Sequence, residues 1–275
     1  MFTSFLQHLP NFKGKFRLLR IFLGSYLRKA KDIEIHGRNN IVYKVPNISE
    51  CIGFELFVNG VYEKDYIDLI VQSIPANGVL LDLGANIGSI SIPIAKQRPD
   101  IKIFAVEASP RVFSYLKYNV ERNNCKNIYL ENKALSTMDN ETVSFYSPVE
   151  LFGKGSLNPV FTNVGEHVST LTIDTLVQDN NLEKVDFIKV DVEGFEKTVL
   201  SGGALLLSKV NPLHILFEFS DWMEGQAGSN KSGDCQKFLQ DLGFLLYDVT
   251  EPKKPVLMAK IAKEGSFMIL AKKGT

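Results

Sequence analysis

The sequence has few of the side chains from which zinc centres and disulfide frameworks are built. Its 275 residues include only three cysteines, which are widely separated and odd in number, and four histidines in no ligand spacing. Structural zinc sites use these residues at short, regular intervals, and small secreted domains use cysteines in pairs. The composition therefore favours a reduced protein of the cytoplasm without a zinc site.

Long apolar runs are also missing. No stretch approaches the roughly 20 apolar residues that cross a bilayer, and the N-terminus does not have the charged-then-apolar order of a secretory signal. The net charge is zero, but residues 1–31 carry seven basic and no acidic side chains, which leaves −7 on the remainder. Because an acidic remainder does not attract nucleic acid through bulk charge, we expect no nucleic-acid partner.

The basic N-terminal segment predicts an amphipathic helix from about residue 12 to residue 27. Its apolar residues recur at three- or four-residue steps, with basic residues between them: Phe16, Leu19, Leu23 and Leu27. One interpretation is peripheral contact of residues 1–31 with an anionic membrane, at its inner face. The alternative is a helix that packs on its own domain or on a partner subunit of a homo-oligomer. The sequence leaves both open.

The chain divides into two parts. Residues 32–45 alternate polar and apolar side chains around a polar turn, which predicts a β-hairpin. We therefore assign residues 1–60 to an N-terminal extension of basic helix and β-hairpin. Residues 61–275 form the main domain.

Strands and helices alternate along the main domain. Apolar runs typical of buried strands occur at residues 79–83, 101–106, 187–190 and 214–219. Helical stretches lie between them, one of them expected over residues 196–207. This alternation predicts an α/β fold with a doubly wound, Rossmann-like, mostly parallel sheet. Residues 141–176 interrupt the pattern. Since long loops after strands overhang the ligand crevice in such folds, we expect this segment to form a lid or a wall of the acceptor site.

The central motif lies where the first strand of the main domain turns into a helix, and it reads Asp82-Leu83-Gly84-Ala85-Asn86-Ile87-Gly88. Gly84 permits a tight turn, and Gly88 permits close packing of the helix against the strand. The free N–H groups at the start of the helix face a polar ligand. Glu107, at the end of the next strand, offers two acceptor oxygens to the vicinal hydroxyls of a ribose. The sequence therefore predicts a nucleoside-binding site.

The same motif bears on which cofactor binds there. Ala85, Asn86 and Ile87 stand where the dinucleotide fingerprint needs a second glycine beneath the pyrophosphate. The carboxylate of Asp82 would repel a pyrophosphate but suits a ligand with an ammonium and a sulfonium group. Both features favour S-adenosyl-L-methionine. An NAD(P)-dependent oxidoreductase and a non-catalytic nucleoside-binding module are the alternatives on the same fold.

Five segments, in family order over residues 79–219, resemble the FkbM family of methyltransferases. They are Asp82 to Gly88, Val106 to Pro110, Asn132 to Ser136, Leu171 to Leu176, and Ile188 to Glu196. The resemblance implies a class I methyltransferase fold with a seven-stranded sheet. It also implies S-adenosyl-L-methionine as methyl donor and O-methylation of a saccharide, glycolipid or related hydroxylated natural product. Residues 141–167 have no clear counterpart in the family.

The most specific of these segments supplies the expected catalytic residues, Lys189, Asp191 and Glu193. A sugar hydroxyl is a poor nucleophile and needs a base or a metal to react. We expect Asp191 to accept the proton of the acceptor, to orient the methionine ammonium or to bind Mg²⁺. Glu193 and Glu218 would complete a hard oxygen site for that ion, so Mg²⁺ is a second cofactor hypothesis. Without the metal, Asp191 or Glu193 would act as a general base.

The residues expected to bind the cofactor follow the ends of the first four predicted strands. An amide at the third strand would lie beside the adenine edge. The full set is Asp82, Gly84, Asn86, Gly88, Glu107, Asn132 and Asp191.

Overall fold

The computed structural model describes residues 6–7, 9–10, 12, 14–209, 212–226 and 231–274. Parts of the predicted membrane-contacting segment, namely residues 1–5, 8, 11 and 13, lie outside the described residues. Among the helices that are described, none combines the length and apolar character needed to pass through a bilayer.

The N-terminal part consists of a helix, a hairpin and two further helices. Its elements are α1 (Lys15–Lys29), β1 (Lys31–His36), a 3₁₀ turn (Arg38–Asn40), β2 (Val42–Asn47), α2 (Cys51–Asn59) and α3 (Lys64–Ser73). β1 and β2 pair antiparallel, which confirms the predicted hairpin. The sequence did not indicate α2, because most of its residues are apolar and buried, so the one-sided period of a surface helix is missing.

The main domain alternates strands and helices as predicted. Its strands are β3 (Val79–Leu83), β4 (Lys102–Val106), β5 (Ile128–Glu131), β6 (Ala134–Leu135), β7 (Thr142–Phe145), β8 (Glu166–Leu171), β9 (Phe187–Val190), β10 (Leu213–Ser220), β11 (Leu245–Asp248), β12 (Val256–Leu257) and β13 (Ser266–Lys273). Its helices are α4 (Ser91–Gln97), α5 (Pro110–Arg122), α6 (Ile173–Asp179), α7 (Glu196–Ser201), α8 (Ala204–Ser208), α9 (Asp221–Gln226) and α10 (Asp234–Asp241).

Eight strands form the central sheet, in the order β12-β11-β13-β10-β9-β3-β4-β5. β3, β4, β5, β9 and β10 run parallel, and β13 lies antiparallel between β10 and β11. This confirms the doubly wound, mostly parallel α/β sheet, with the two-residue β12 added at the edge. The winding direction reverses between β3 and β9. Ligands bind at such a switch point, beyond the carboxyl ends of the strands.

The predicted helix over residues 196–207 is interrupted. It forms two short helices, α7 and α8, separated by Gly202 and Gly203. A Cβ atom at Gly202 would come within 2.2 Å of the carbonyl oxygen of Ser136. Gly202 therefore allows the backbone at Ser136 to approach closely, and the helix is interrupted at this point.

The N-terminal extension shares its hydrophobic core with the main domain. Ile35, Tyr43 and Phe54 of the extension belong to the same buried cluster as Ile87 and Leu116 of the main domain. A second buried cluster covers the opposite face of the sheet. The division at residue 60 stays a prediction from the sequence, and the two parts pack as one body.

Two asparagine side chains, Asn119 of α5 and Asn123 directly after that helix, bind the backbone of the hairpin. Asn119 is fully buried; its Oδ1 accepts from the N–H of Lys44 at 2.6 Å, and its Nδ2 donates to the carbonyl oxygens of Lys44 and Ile87 at 3.0 and 2.9 Å. Asn123 accepts from the N–H of Val42 at 2.8 Å and donates to the carbonyl oxygen of that residue at 2.7 Å. These amides replace the missing neighbour strand of β2 and fix the extension on the domain.

Replacing Asn119 with alanine tests this attachment. Asn119→Ala leaves buried backbone groups of Lys44 and Ile87 without partners, so we expect the free energy of unfolding to fall by about 2–4 kcal/mol. Lys117→Ala, on the exposed side of the same helix, is the control and should change it by less than about 0.5 kcal/mol. Urea unfolding measures both. Equal effects of the two substitutions would contradict the attachment.

Candidate active site

One cavity of about 380 Å³ opens at the switch point of the sheet. Its wall combines the carboxyl ends of β3, β4, β9 and β10 with two segments that lie above them. One of these is the N-terminal stretch 50–66, and the other is the insertion 145–157. The insertion is part of the segment 141–176 and lines the crevice, as predicted, while its role towards an acceptor stays a prediction. The cavity is large enough to hold a nucleoside and part of a second molecule.

The turn after β3 is tightly enclosed. Gly84 has φ +84°, and a Cβ atom there would come within 2.0 Å of the carbonyl oxygen of Asp191. The N–H groups of Gly84 and Ala85 both donate to the carbonyl oxygen of Val106, at 3.0 and 2.9 Å. The turn therefore joins the ends of β3, β4 and β9. Only glycine satisfies both the positive φ and the contact.

Gly88 performs the packing role predicted for it. It also has a positive φ, and a Cβ atom there would lie 2.9 Å from Ile92 and 3.0 Å from Leu116. It does not line the cavity. Gly88 thus brings the helix close to the sheet without contacting the ligand space.

The carboxylate of Glu107 is fixed at the cavity wall. Its two oxygens accept hydrogen bonds from the backbone N–H groups of Asn86, at 3.0 Å, and Ser109, at 2.8 Å. Burial raises the pKa of Glu107 to about 7, although these two hydrogen bonds act in the opposite direction. Each oxygen retains a lone pair for a further donor. Glu107 thus presents a fixed carboxylate to the cavity, and its role towards a ribose stays a prediction.

A buried ammonium group connects the other carboxylates of the switch point. The Nζ of Lys189 donates to the carbonyl oxygen of Gly84 at 3.1 Å and lies 3.5 Å from Asp82 and 3.4 Å from Asp191. Burial alone would lower the pKa of Lys189, but the neighbouring carboxylates, Asp191 first, raise it overall. Lys189 therefore stays charged and holds the turn, β3 and β9 together.

Three of the predicted cofactor-binding residues, Asp82, Gly88 and Asn132, do not line the cavity. Asp82 is fully buried behind the turn; it accepts a hydrogen bond from Ser91 at 2.5 Å and faces Lys189, so it does not reach the cavity. Asn132 donates to the carbonyl oxygens of Glu107 and Ala108, at 2.8 and 3.1 Å, and it too is absent from the wall. Both residues lie behind the cavity wall. Oδ2 of Asp82 and Nδ2 of Asn132 are hydrogen-bonded within the protein, and Oδ1 of Asp82 lies 3.5 Å from the Nζ of Lys189.

Three predicted acidic residues do come together. Asp191, Glu193 and Glu218 each offer a carboxylate oxygen, and these oxygens lie within 4.8 Å of one another. Glu193 is almost fully buried, and one of its oxygens has no hydrogen-bond partner. Burial, with the charge of Asp191, raises the pKa of both Glu193 and Glu218. This carboxylate cluster faces the same cavity as Glu107.

Sequence reasoning missed four charged residues of the cavity wall, and two of them, Lys154 and Glu63, interact with the carboxylate cluster. Lys154 of the insertion forms an ion pair of 2.7 Å with Glu193. Glu63 of the N-terminal part lines the wall with φ +46°, and burial and the charge of Asp191 raise its pKa to about 7. A non-glycine residue at positive φ often marks a functional site. No local pattern identifies such a residue from sequence.

The strand order, with an acidic side chain after β4 and the glycine turn after β3, is that of the class I methyltransferases. The Methyltransferase FkbM domain matches residues 82–246, more than half of the chain. The chain therefore belongs to the FkbM family of methyltransferases, which confirms the resemblance. The matched residues include Glu107, Asp191, Glu193 and Glu218 but exclude Glu63.

Several curated relatives of this chain carry methyltransferase names. The hexuronic acid methyltransferase AglP of Haloferax volcanii is 31% identical over 149 residues, which cover 54% of this chain and 59% of that protein. The 2-O-methyltransferase NoeI of Sinorhizobium fredii is 26% identical over 164 residues, covering 54% and 66%. The chain thus spans about three-fifths to two-thirds of the length of these relatives. Among solved structures, fibrillarin from Aeropyrum pernix, in complex with S-adenosyl-L-methionine, aligns over 76% of this chain and 74% of its own, with 16% identity and a TM-score of 0.43.

Replacing Gly84 with alanine tests the enclosed turn. Gly84→Ala adds both positive-φ strain and a backbone overlap, so we expect the free energy of unfolding to fall by about 3 kcal/mol or more. Gly243→Ala is a matched control, because Gly243 has nearly the same φ, +86°, but no atom within 4 Å of the added Cβ. The control should lose only about 1–2 kcal/mol. Similar losses in urea unfolding would contradict the predicted overlap.

Proposed function

We propose that the protein transfers the methyl group of S-adenosyl-L-methionine to a hydroxyl of a saccharide or a related natural product. One observation carries this proposal: a single cavity contains both Glu107 and the carboxylate cluster of Asp191, Glu193 and Glu218. Glu107 can accept hydrogen bonds from the hydroxyls of a ribose, and the carboxylate cluster can accept the proton of an acceptor hydroxyl. Membership in the FkbM family supports the reaction class.

The cofactor would lie over the turn after β3. The ribose hydroxyls would donate to Glu107, whose position is fixed by Asn86 and Ser109. Asp191 is about one-third exposed and is held by Lys189, so its free lone pairs face the cavity where the methionine ammonium would lie. A dinucleotide is disfavoured, because Asn86 occupies the position of the second glycine and its side chain donates to the carbonyl oxygen of Phe152.

The acceptor would enter between the insertion and the N-terminal stretch. This half of the cavity is lined by Tyr62, Glu63, Tyr66 and Lys154, together with the carboxylate cluster. Carboxylates and phenol groups bind the hydroxyls of a polyol, which are both donors and acceptors. AglP and NoeI carry names that refer to a hexuronic acid and to 2-O-methylation, and these names favour a saccharide acceptor.

The residues of this chain position the acceptor hydroxyl and remove its proton. Transfer is an in-line displacement at the sulfonium carbon, and the cofactor supplies the leaving group. Asp191 or Glu193 would accept the proton from the hydroxyl oxygen as the new C–O bond forms. The ammonium group of Lys154 lies 2.7 Å from Glu193, and that of Lys189 lies 3.4 Å from Asp191. These ion pairs limit the movement of both carboxylates.

Mg²⁺ is a second part of the proposal. Three carboxylate oxygens within 4.8 Å of one another fit a hard cation, and the unpartnered oxygen of Glu193 is available as a ligand. Asp191, Glu193 and Glu218 would hold the ion. When bound, it would lower the pKa of the acceptor hydroxyl.

Replacing Asp191 with asparagine tests the catalytic proposal. Asp191→Asn keeps the shape of the side chain but removes its charge, so we expect kcat to fall by about a hundredfold or more. Asp241→Asn, at an exposed carboxylate on α10, should leave kcat unchanged. The measurement is transfer of radiolabelled methyl into extracted glycans and lipids, followed by linkage analysis. Undiminished transfer by Asp191→Asn would remove this residue from the reaction.

The same assay distinguishes catalysis that requires Mg²⁺ from general base catalysis without a metal. If Mg²⁺ takes part, EDTA abolishes transfer and added Mg²⁺ restores it. Unchanged activity in EDTA would rule out the metal and leave general base catalysis by Asp191 or Glu193. Neither result depends on which acceptor is methylated.

The pH dependence of cofactor binding tests Glu107. Its carboxyl has a raised pKa of about 7, and the ionised form is the better acceptor for ribose hydroxyls. Affinity for S-adenosylhomocysteine should therefore rise about tenfold from about pH 6 to about pH 8. In the free protein, protonated Glu107 contributes stability that is complete below about pH 4.5 and is lost as the pH rises to about 7.

Glu107→Gln is the matched variant, since an amide keeps the size but does not ionise. We expect it to bind about tenfold or more weakly at the higher pH and to lose the pH dependence that Glu107 causes. Titration calorimetry measures both. A wild-type pH profile in the variant would assign the dependence to another group.

A further inference from the structure

Helix α1 carries apolar side chains on two opposite faces. The face predicted from sequence turns inward: Leu27 is buried, Leu19 and Leu23 pack against the core, and the ring of Phe16 contacts that of Phe54 at 5.7 Å. The sequence period therefore identified the face that packs on the protein. It did not identify the face that remains open.

The opposite face of α1 exposes large apolar side chains to solvent. Leu18, Ile21 and Phe22 are 45%, 69% and 75% exposed. Their spacing of three or four residues places them side by side on the helix. We call these three residues the outer face of α1. Tyr26 lies at the edge of this face, where its ring packs 5.9 Å from that of Phe57. Within the described part of the chain, nothing covers the outer face.

Cations flank the outer face. Arg17 lies one helical turn before Ile21, Arg28 lies two turns after it, and Lys29 lies two turns after Phe22. All three are exposed, and none forms a salt bridge with another described residue. There is no acidic residue anywhere in residues 1–31. The face thus combines apolar side chains with uncompensated positive charge.

We propose that the outer face of α1 binds the surface of an anionic lipid bilayer. The apolar side chains would enter the boundary between headgroups and acyl chains, while Arg17, Arg28 and Lys29 pair with lipid phosphates and carboxylates. The rest of the chain carries −7 and is repelled by such a surface, so charge orients the protein with α1 towards the lipid. This proposal rests on α1 alone and does not depend on the proposed reaction.

Sedimentation with vesicles tests the proposal on the full chain. The wild type should sediment with vesicles of equal parts phosphatidylcholine and phosphatidylserine, and not with phosphatidylcholine alone. Ile21→Ser with Phe22→Ser should weaken binding by about tenfold or more. Replacement of Arg17, Arg28 and Lys29 by glutamine should weaken it and reduce its salt dependence.

Matched controls distinguish binding by the outer face of α1 from nonspecific binding by other exposed apolar residues. Val164→Ser with Leu205→Ser removes two equally exposed apolar side chains elsewhere, at 76% and 71%, and should bind vesicles as the wild type does. Circular dichroism should show that every variant is folded. Undiminished binding by the Ile21 and Phe22 variant would overturn the proposal. So would a dimer in analytical ultracentrifugation that this variant abolishes, because a second copy would then cover the face.

Discussion

The site depends on one buried ion pair system, in which the ammonium group of Lys189 lies between Asp82 and Asp191 and donates to the carbonyl oxygen of Gly84. These partners belong to β3, to the turn after it and to the end of β9, which are the segments on either side of the switch point. A buried charge is costly unless it is paired, so the three segments cannot separate without leaving an ammonium or a carboxylate unsatisfied. The shape of the cavity floor follows from that constraint.

Much of this arrangement was predictable because parallel strands end at the same edge of a sheet. The apolar runs fixed which segments are strands, and residues that follow them had to lie close together. That reasoning predicts that Glu107, Asp191, Glu193 and Glu218 share one cavity, and the structure places all four there. The glycine turn was predictable for the same reason, since Gly84 has a steric role that no other residue fills.

The remaining residues depend on contacts that no local pattern encodes. Lys154 reaches Glu193 across 39 positions of sequence, and Glu63 reaches the cavity from the N-terminal part. Asp82 occupies the expected position in the glycine motif, but it pairs with Lys189 behind the turn. The sequence pattern predicts Lys189 as a catalytic residue and gives no sign of this buried ion pair. The period of α1 revealed its buried face, because burial, and not exposure, produces periodic apolar residues.

Calorimetric titration of the wild-type protein with S-adenosylhomocysteine and, separately, with NAD⁺ tests the central claim most directly. A cavity built around Glu107 and the Lys189 ion pairs should bind the first ligand at a single site and give no heat with the second. Binding of NAD⁺ without S-adenosylhomocysteine would contradict the account, and so would a cavity that accepts neither nucleoside.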